Sequence, residues 1–159
     1  MNLLSTISLA LFMLNLGTAF GAGLYETRIV LPLWFERSAA GNYQVRTSVM
    51  RDIDTGRKFW GFVTTVPLTL LTLANLILAW QSSDPFRTWW LGAALLTLVE
   101  RIGTFAFFIP TAIRLQQADQ LSATRASRLV ALWLRLNYLR NAITLIACCL
   151  ALVAVSIKN

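Results

Sequence analysis

No histidine occurs in this sequence, and charged residues are few. Only 13% of its 159 residues are charged, whereas a soluble domain usually carries about 25%. Because 57% of the chain is hydrophobic, it has too little polar surface to cover a globule in water. The composition therefore excludes an ordinary soluble protein. It predicts an integral membrane protein, and the length suits a single domain over residues 1–159.

Cysteine is also scarce. Cys148 and Cys149 are the two cysteines, and they are adjacent within an apolar run. Without a C-x-x-C spacing there is no signal for disulfide exchange, and two cysteines without histidine make a poor metal site. We expect both to be small buried residues of a packed helix. We therefore expect no metal site.

Acidic residues are half as frequent as basic ones, seven against fourteen, so the net charge is +7. In a soluble protein this balance would suggest a nucleic-acid partner. Here the basic residues lie largely in two connecting segments, where the positive-inside rule explains them. We therefore expect membrane lipid, and no nucleic acid, as a partner.

Four apolar runs are long enough to cross a membrane, which takes about 20 residues of helix. They predict helices over residues 3–33, 59–80, 88–113 and 127–157. The first run has no basic residue before Arg28, so it lacks the charged start of a secretory signal peptide. We expect it to be a retained first helix.

The connections predict how these helices are arranged. Asp84 and Pro85 are a turn signal in the short second connection, which makes the second and third helices antiparallel neighbours. Basic residues concentrate in the first connection, residues 36–58, and in the third. Since such connections stay in the cytoplasm, we expect both termini to be non-cytoplasmic. The sequence thus predicts an all-α, integral membrane, antiparallel four-helix bundle, most simply in a bacterial inner membrane.

Glycines and prolines predict local features of the helices. Gly17 and Gly21 form a G-x-x-x-G motif in the first helix, which favours close packing against another helix. Pro67 and Pro110 predict a kink or an end in the second and third helices, because proline cannot donate the helical hydrogen bond.

The first connection mixes apolar and charged residues, unlike a flexible linker, and we expect it to be partly ordered. Asp52 and Asp54 are expected to pair with Arg51, Arg57 or Lys58 and to close the cytoplasmic mouth of the bundle. A solvated loop face is the alternative, because exposed ion pairs contribute little.

Polar residues recur at helical spacing in all four runs, where exposure to lipid is costly. We expect them to turn inward and to line a small hydrophilic cavity. The alternative is that they only form hydrogen bonds between helices. The candidates are Asn15 and Glu26 in the first helix, Asn75 in the second, Glu100 in the third, and Trp133, Arg135, Asn137, Arg140 and Asn141 in the fourth.

Charges at similar predicted depth are expected to pair. Glu100 and Arg140 both fall near the middle of their runs, and Glu26 and Arg135 both fall nearer the cytoplasm. Arg101, like Arg28, is then left without an acidic partner. An interior short of negative charge predicts an anionic or polarised ligand.

Three segments also carry a resemblance to a family: YETRIVLPLW, ERIGTFAFFIPT and WLRLNYLRNAIT. They resemble the small four-helix membrane proteins grouped with anthrone oxygenases. The clearest similarity is the pattern Trp133-x-Arg135-x-Asn137-x-x-Arg140, in which family sequences often carry histidine at the position of Asn137. The resemblance implies a cofactor-independent oxygenase that acts on an activated polycyclic ketone or a quinone-like molecule.

The implied chemistry suits the charged residues found in the helices. A base removes an acidic C–H proton, and cationic donors hold the resulting enolate for reaction with oxygen. Glu26 or Glu100 would be the base. Arg140, Arg135 and Asn137 would stabilise the oxyanion, and the remaining candidate asparagines with Trp133 would contact the ligand.

Two other classes of function stay open. The cavity would serve equally well to bind or carry a small lipophilic or anionic ligand without turnover. The chain would otherwise be a structural or accessory membrane protein, a homo-oligomer included, whose charges only set the helix register.

Overall fold

The computed structural model describes residues 3–39, 41–82 and 85–158, the side chain of residue 158 excepted. Within these residues, four helices are long and apolar enough to cross a membrane, as the sequence predicts. We name them α1 (Leu3–Trp34), α3 (Gly56–Gln81), α4 (Arg87–Leu115) and α5 (Ala123–Lys158). The first connection contains strands β1 (Phe35–Arg37) and β2 (Tyr43–Val45) and the short helix α2 (Thr47–Ile53).

Prolines do not end the long helices but accompany π-helical segments within them. The residue just after each segment donates its backbone N–H to the carbonyl oxygen five residues earlier, for example Leu31 to Glu26. A proline follows two residues after the end of each segment. The helices continue past Pro67 and Pro110. The prediction that a helix ends at either proline is therefore wrong. The segments are Glu26–Val30, Gly56–Thr65 and Thr104–Phe108, with Pro32, Pro67 and Pro110 after them.

Asn15 supports the segment before Pro67. Proline has no N–H, so Pro67 cannot donate the α-helical bond to the carbonyl of Val63, four residues earlier. The side-chain Nδ2 of Asn15 donates to this carbonyl at 3.0 Å instead. The contact joins α1 to α3 and gives Asn15 a role in helix packing.

An apolar core joins all four long helices at the end away from the first connection. It contains Phe12, Leu68, Trp90 and Ala151, which are almost fully buried. Asn75 crosses this core, since it accepts a hydrogen bond from Nε1 of Trp90 at 2.9 Å and donates to Ser8 Oγ at 3.0 Å. At this end of the molecule, the polar side chain of Asn75 therefore forms hydrogen bonds between helices.

Close packing of α1 occurs at a different glycine from those predicted. A Cβ atom built at Gly17 or Gly21 would meet nothing within 4 Å, so the G-x-x-x-G prediction is wrong. A Cβ at Gly23 would overlap the side chain of Asn141 in α5. Gly23 therefore permits the approach of α1 to α5.

The described residues of the first connection form two short strands and a helix, and they pack against the long helices. β1 and β2 pair antiparallel, with Phe35 opposite Val45, and this small sheet departs from the all-α prediction. The N–H of Tyr43 donates to Oγ of Ser127 in α5 at 3.0 Å. Asp54 ends α2 in a left-handed conformation with a φ of 37°.

One ion pair lies within this connection, as predicted, and another joins it to the third connection, which was not predicted. Arg57 pairs with Asp54 at 3.7 Å, whereas Arg51 pairs with Asp119 at 3.0 Å. Lys58 donates to the backbone carbonyl of Asp52 rather than to a carboxylate. Of the three expected partners, Arg57 is therefore the one that pairs with an aspartate of the first connection, whereas the long side chain of Arg51 reaches across to the third connection.

Most of the outer surface of the long helices is apolar, apart from a few exposed arginines. Large hydrophobic side chains are exposed along each of them, for example Leu14, Phe62, Val99 and Leu152. Cys149 also lies on this surface, so the expectation that both cysteines are buried is wrong for it, whereas Cys148 packs against the core.

Candidate functional site

A cavity of about 280 Å³ lies at the end of the helices that carries the first and third connections. All four long helices and α2 contribute to its lining, with Met50 and Thr55 from the first connection. The charged lining residues are Glu26, Asp54, Arg57, Glu100, Arg101 and Arg140, and the aromatic ones are Trp34, Trp60, Phe108 and Trp133.

Glu26 is the centre of one buried polar cluster in this cavity. Its Oε1 accepts hydrogen bonds from Nε1 of Trp60 at 2.8 Å and from Oγ1 of Thr55 at 3.3 Å. Its Oε2 accepts one from Nη2 of Arg140 at 3.1 Å. A buried carboxylate requires such donors, since desolvation of an unpaired charge is costly.

Arg140 links this carboxylate to a chain of amides and hydroxyls on α1 and α5. Its Nη2 also donates to Oδ1 of Asn137 at 2.6 Å. Asn137 and Asn141 each donate to Oγ1 of Thr27, at 2.7 and 3.2 Å. The hydroxyl of Thr27 in turn donates a hydrogen bond to the backbone carbonyl of Gly23 at 2.7 Å, so each group in this chain has a partner.

Glu100 is the centre of a second cluster, formed within α4. Arg101 holds it with two hydrogen bonds, from Nε at 2.5 Å and from Nη2 at 2.7 Å. Oγ1 of Thr104, one turn further along, donates to the same carboxylate at 2.9 Å. Both charged side chains are over nine-tenths buried.

Both charge pairs differ from those predicted. Glu100 pairs with Arg101 rather than Arg140, and Glu26 pairs with Arg140 rather than Arg135. Depth counted from helix ends does not tell which way a side chain points, and Arg101 is long enough to fold back on its neighbour.

The predicted deficit of negative charge in the interior is also wrong. Arg135 and Arg28 are exposed on the outer surface. The cavity lining carries three carboxylates and three guanidinium groups, so their formal charges balance.

Aromatic rings form walls beside the charges. The guanidinium carbon of Arg140 lies 4.4 Å from the ring centroid of Phe108 and 5.3 Å from that of Trp60, within the range of cation–π attraction. Phe108 and Trp133 contact edge to face, with centroids 5.2 Å apart. Arg140 is thus held by planar groups as well as by Glu26.

Three buried donors in lining residues have no acceptor among the described residues. They are Nε1 of Trp34, Nε1 of Trp133 and Nη1 of Arg101. An unmet buried donor costs about 1–3 kcal/mol, and no lining residue shows an unmet buried acceptor. The site therefore favours a ligand that carries hydrogen-bond acceptors.

The three π-helical segments meet at this cavity. Glu26, Trp60 and Thr104 belong one to each segment, and all three line it. π-Helical turns are rare and frequently occur at functional sites. The prolines that follow these segments, Pro32, Pro67 and Pro110, are a sequence signal for them, although Pro67 and Pro110 predicted only a kink or an end of a helix.

The structure gathers some of the predicted site residues and separates others. Glu26, Glu100, Trp133, Arg140 and Asn141 line the cavity. Asn137 supports Arg140 from behind, whereas Asn15 and Asn75 bond between helices elsewhere and Arg135 is exposed. Trp34, Trp60, Arg101 and Phe108 also line the cavity, and none of them was among the site residues predicted from the sequence.

The comparison with known families agrees with the resemblance in the helices. Residues 53–150 match the family described as anthrone oxygenase. This range includes Trp60, Glu100, Arg101 and Arg140, whereas Glu26 lies before it. Neither the curated proteins nor the solved structures contain a significant match. Because the family match spans more than half of the chain, the protein belongs to the anthrone oxygenase family.

Proposed function

We propose that this protein is an integral membrane oxygenase that acts, without a cofactor, on a lipophilic polycyclic ketone or quinone-like molecule held in the cavity. The observation that carries the proposal is one aromatic-walled cavity with two buried carboxylate–guanidinium pairs, in a member of the anthrone oxygenase family. Its volume of about 280 Å³ lies just below the usual range for small-molecule sites, which begins at about 300 Å³.

The helices in this proposal form an antiparallel bundle across a bacterial inner membrane. Two contacts support opposite directions for α1 and α3, since Ser8 meets Asn75 and Asn15 meets Val63. The apolar outer surface suits lipid. The basic first and third connections put the cavity at the cytoplasmic end, with both termini on the other side.

In the proposed reaction, a carboxylate removes a proton from a CH₂ group next to the aromatic ketone. The resulting carbanion, delocalised as an enolate, reacts with O₂ to give a peroxide anion, which takes the proton back. Loss of water from the hydroperoxide leaves a new C=O group. The sum, CH₂ plus O₂ to C=O plus H₂O, balances atoms and electrons without an external reductant.

Glu26 is the better candidate for the base. Arg101 holds Glu100 through two hydrogen bonds in a planar fork, whereas Arg140 holds Glu26 through one bond at 3.1 Å. A ligand oxyanion can therefore draw Arg140 away more easily and leave Glu26 free to accept a proton. Arg140, and the unmet N–H of Arg101, would then stabilise the enolate.

Binding without turnover is the second candidate, and a specific observation favours it. Both buried carboxylates already accept hydrogen bonds from arginine, so neither is free to act as a base until a ligand rearranges its pair. A carrier would use the same aromatic walls and unmet donors without this rearrangement.

Oxygen uptake by purified protein in lipid nanodiscs tests the proposal. With a hydroxylated anthrone as substrate, the expected result is a rate above that of empty nanodiscs, since anthrones also react with oxygen spontaneously. Glu26→Gln should lower the protein-dependent rate by about 100-fold or more, the usual contribution of a general base. Thermal shift with the same molecule reports binding separately.

The outcomes separate the two candidates. A thermal shift without protein-dependent oxygen uptake would leave the binder and overturn the oxygenase. Full activity in Glu26→Gln with loss in Glu100→Gln would overturn the choice of base but keep the reaction. No shift and no uptake across polycyclic ketones and quinones would overturn both candidates.

A further inference from the structure

Three exposed arginines form a basic stripe along the outer face of α5. Arg125, Arg128 and Arg135 are all exposed, and so is Leu132 between the last two. Their spacing of three, four and three residues keeps all four on one face of a helix. Arg128 and Arg135 are thus separated by about 10 Å along the helix axis.

The described carboxylates do not neutralise this stripe. Five of the six acidic residues in the described part of the chain pair with other arginines, and Asp52 contacts Lys58 through its backbone. The arginine side chains of the stripe make no described hydrogen bond or ion pair. Their positive charge is therefore available to a partner outside the chain.

The depth of the stripe follows from the length of α5. The helix has 36 residues, about 54 Å, whereas the hydrocarbon core of a bilayer is about 30 Å thick and takes about 20 residues. Counting back from Ile157, the core ends near Tyr138. Arg135 then lies at the boundary with the headgroups, and Arg128 lies further out.

The surface beyond the stripe is apolar. Tyr138, Leu139, Leu145 and Ile146 are exposed on α5 on the core side of Arg135. A tyrosine at the boundary is typical of the headgroup level, and the aliphatic side chains suit an acyl chain. The basic surface of α5 thus lies where a phospholipid headgroup would lie, and the apolar surface lies where its tails would lie.

We propose that this stripe is a binding site for an anionic phospholipid, with the headgroup phosphate held by Arg128 and Arg135 and the tails on the apolar surface beyond. The site rests on the membrane insertion and orientation of the proposed function, but not on the oxygenase reaction. Guanidinium groups bind phosphate through paired hydrogen bonds, and basic surfaces on the cytoplasmic side attract anionic lipids. A zwitterionic headgroup carries no net charge and gains less from this stripe.

Native mass spectrometry of the full-length protein, released from detergent with added lipid, tests the site. The probes are phosphatidylglycerol and phosphatidylcholine with identical tails. The wild-type protein should retain phosphatidylglycerol selectively. Arg128→Gln combined with Arg135→Gln should weaken phosphatidylglycerol binding about thirtyfold and leave phosphatidylcholine binding unchanged.

The control removes the same charge elsewhere. Arg37→Gln combined with Arg114→Gln takes two exposed arginines from the same end of the molecule but outside the stripe. It should keep the lipid selectivity of the wild type. Equal binding of the two lipids by the wild type, or equal loss in the two double variants, overturns the site. Helical circular dichroism checks that each variant is folded, and oxygen uptake reports the proposed reaction independently.

Discussion

At the scale of single residues, the choice of ionic partner depends on which helices approach each other. Arg140 meets Glu26 because α1 comes close to α5 beside Gly23, where a side chain would collide with Asn141. Glu100 instead pairs with Arg101, the adjacent residue of its own helix. Each buried carboxylate is thus compensated, and the compensation is separate for the two clusters.

This separation predicts the outcome of double-mutant cycles. Glu26→Gln should destabilise the protein by about 3–5 kcal/mol, because it leaves Arg140 buried without its partner. Adding Arg140→Gln should recover part of that loss, and Glu100 with Arg101 should behave likewise. Unfolding in mixed detergent micelles gives these free energies.

The control cycle pairs Glu100 with Arg140, which line the same cavity and share neither a hydrogen bond nor an ion pair. Its coupling energy should be smaller than that of either ion pair. A stronger coupling between Glu100 and Arg140 than between Glu26 and Arg140 would contradict the pairing described here.

Gly23 gives a second residue-scale prediction. Gly23→Ala should destabilise the protein by about 1–3 kcal/mol, because the added methyl displaces Asn141 from its hydrogen bond with Thr27. Gly17→Ala is the matched control in the same helix, where a Cβ meets nothing within 4 Å. It should be neutral or stabilise by up to about 1 kcal/mol through helix propensity. Equal effects at both glycines would exclude close packing at Gly23.

At the scale of elements, three of the four long helices, α1, α3 and α4, combine α-helical and π-helical segments. Each of the three π-helical segments precedes a proline, which lacks the N–H that an unbroken α-helix needs. In an apolar surrounding the released carbonyls need other donors. Asn15 supplies one of them, so a polar residue of α1 serves the backbone of α3.

The hydrogen bond from Asn15 should therefore be coupled to Pro67. Asn15→Leu should destabilise the protein by about 1–2 kcal/mol, because the carbonyl of Val63 loses its donor. In a Pro67→Ala background the same change should cost less, since the new N–H can bond to that carbonyl. Unfolding free energies of the two single variants and the double variant measure the difference. Full additivity would show that the carbonyl does not depend on Asn15.

At the scale of the whole molecule, the first and third connections cover the end where the cavity lies. Arg51 joins them through Asp119 and the carbonyl of Gln116, and Thr47 donates to Asp119 as well. Exposed pairs of this kind contribute about 0–1 kcal/mol each, so the cover is held by several weak contacts and by the packing of Met50.

Limited proteolysis measures this cover. Trypsin should cut the wild-type protein slowly at Arg46 and Arg51, because both side chains are engaged in ion pairs. Asp119→Asn should speed cleavage at Arg51 by a few-fold, since it removes the charge that holds this side chain. Asp52→Asn is the control and should leave the rate unchanged. Rapid cleavage of the wild type would contradict an ordered cover.

The orientation of the bundle is a separate whole-molecule prediction. In a variant without Cys148 and Cys149, a cysteine at Asn42 should react with an impermeant reagent only from the cytoplasmic side. A cysteine at Gln81, at the other end of the helices, should react only from outside. The opposite pattern would invert the topology and move the cavity to the outer end.

The amino-acid sequence by itself determined the helices and the class of protein. Four apolar runs of more than about 20 residues predicted four helices able to cross a membrane, and the structure has four such helices among its described residues. The local motifs around Trp133 and Arg140 were sufficient for the family. Helix positions followed within a few residues, because hydrophobic periodicity is a local property of the chain.

Only the tertiary structure decided which polar groups meet. Asn15, Asn75 and Glu26 follow similar helical patterns, yet the first two bond between helices and only Glu26 enters the cavity. The partners of a buried charge depend on the rotation of each helix about its axis and on how closely the neighbours approach. Both depend on contacts between residues far apart in the sequence, such as Gly23 with Asn141, which no local pattern contains.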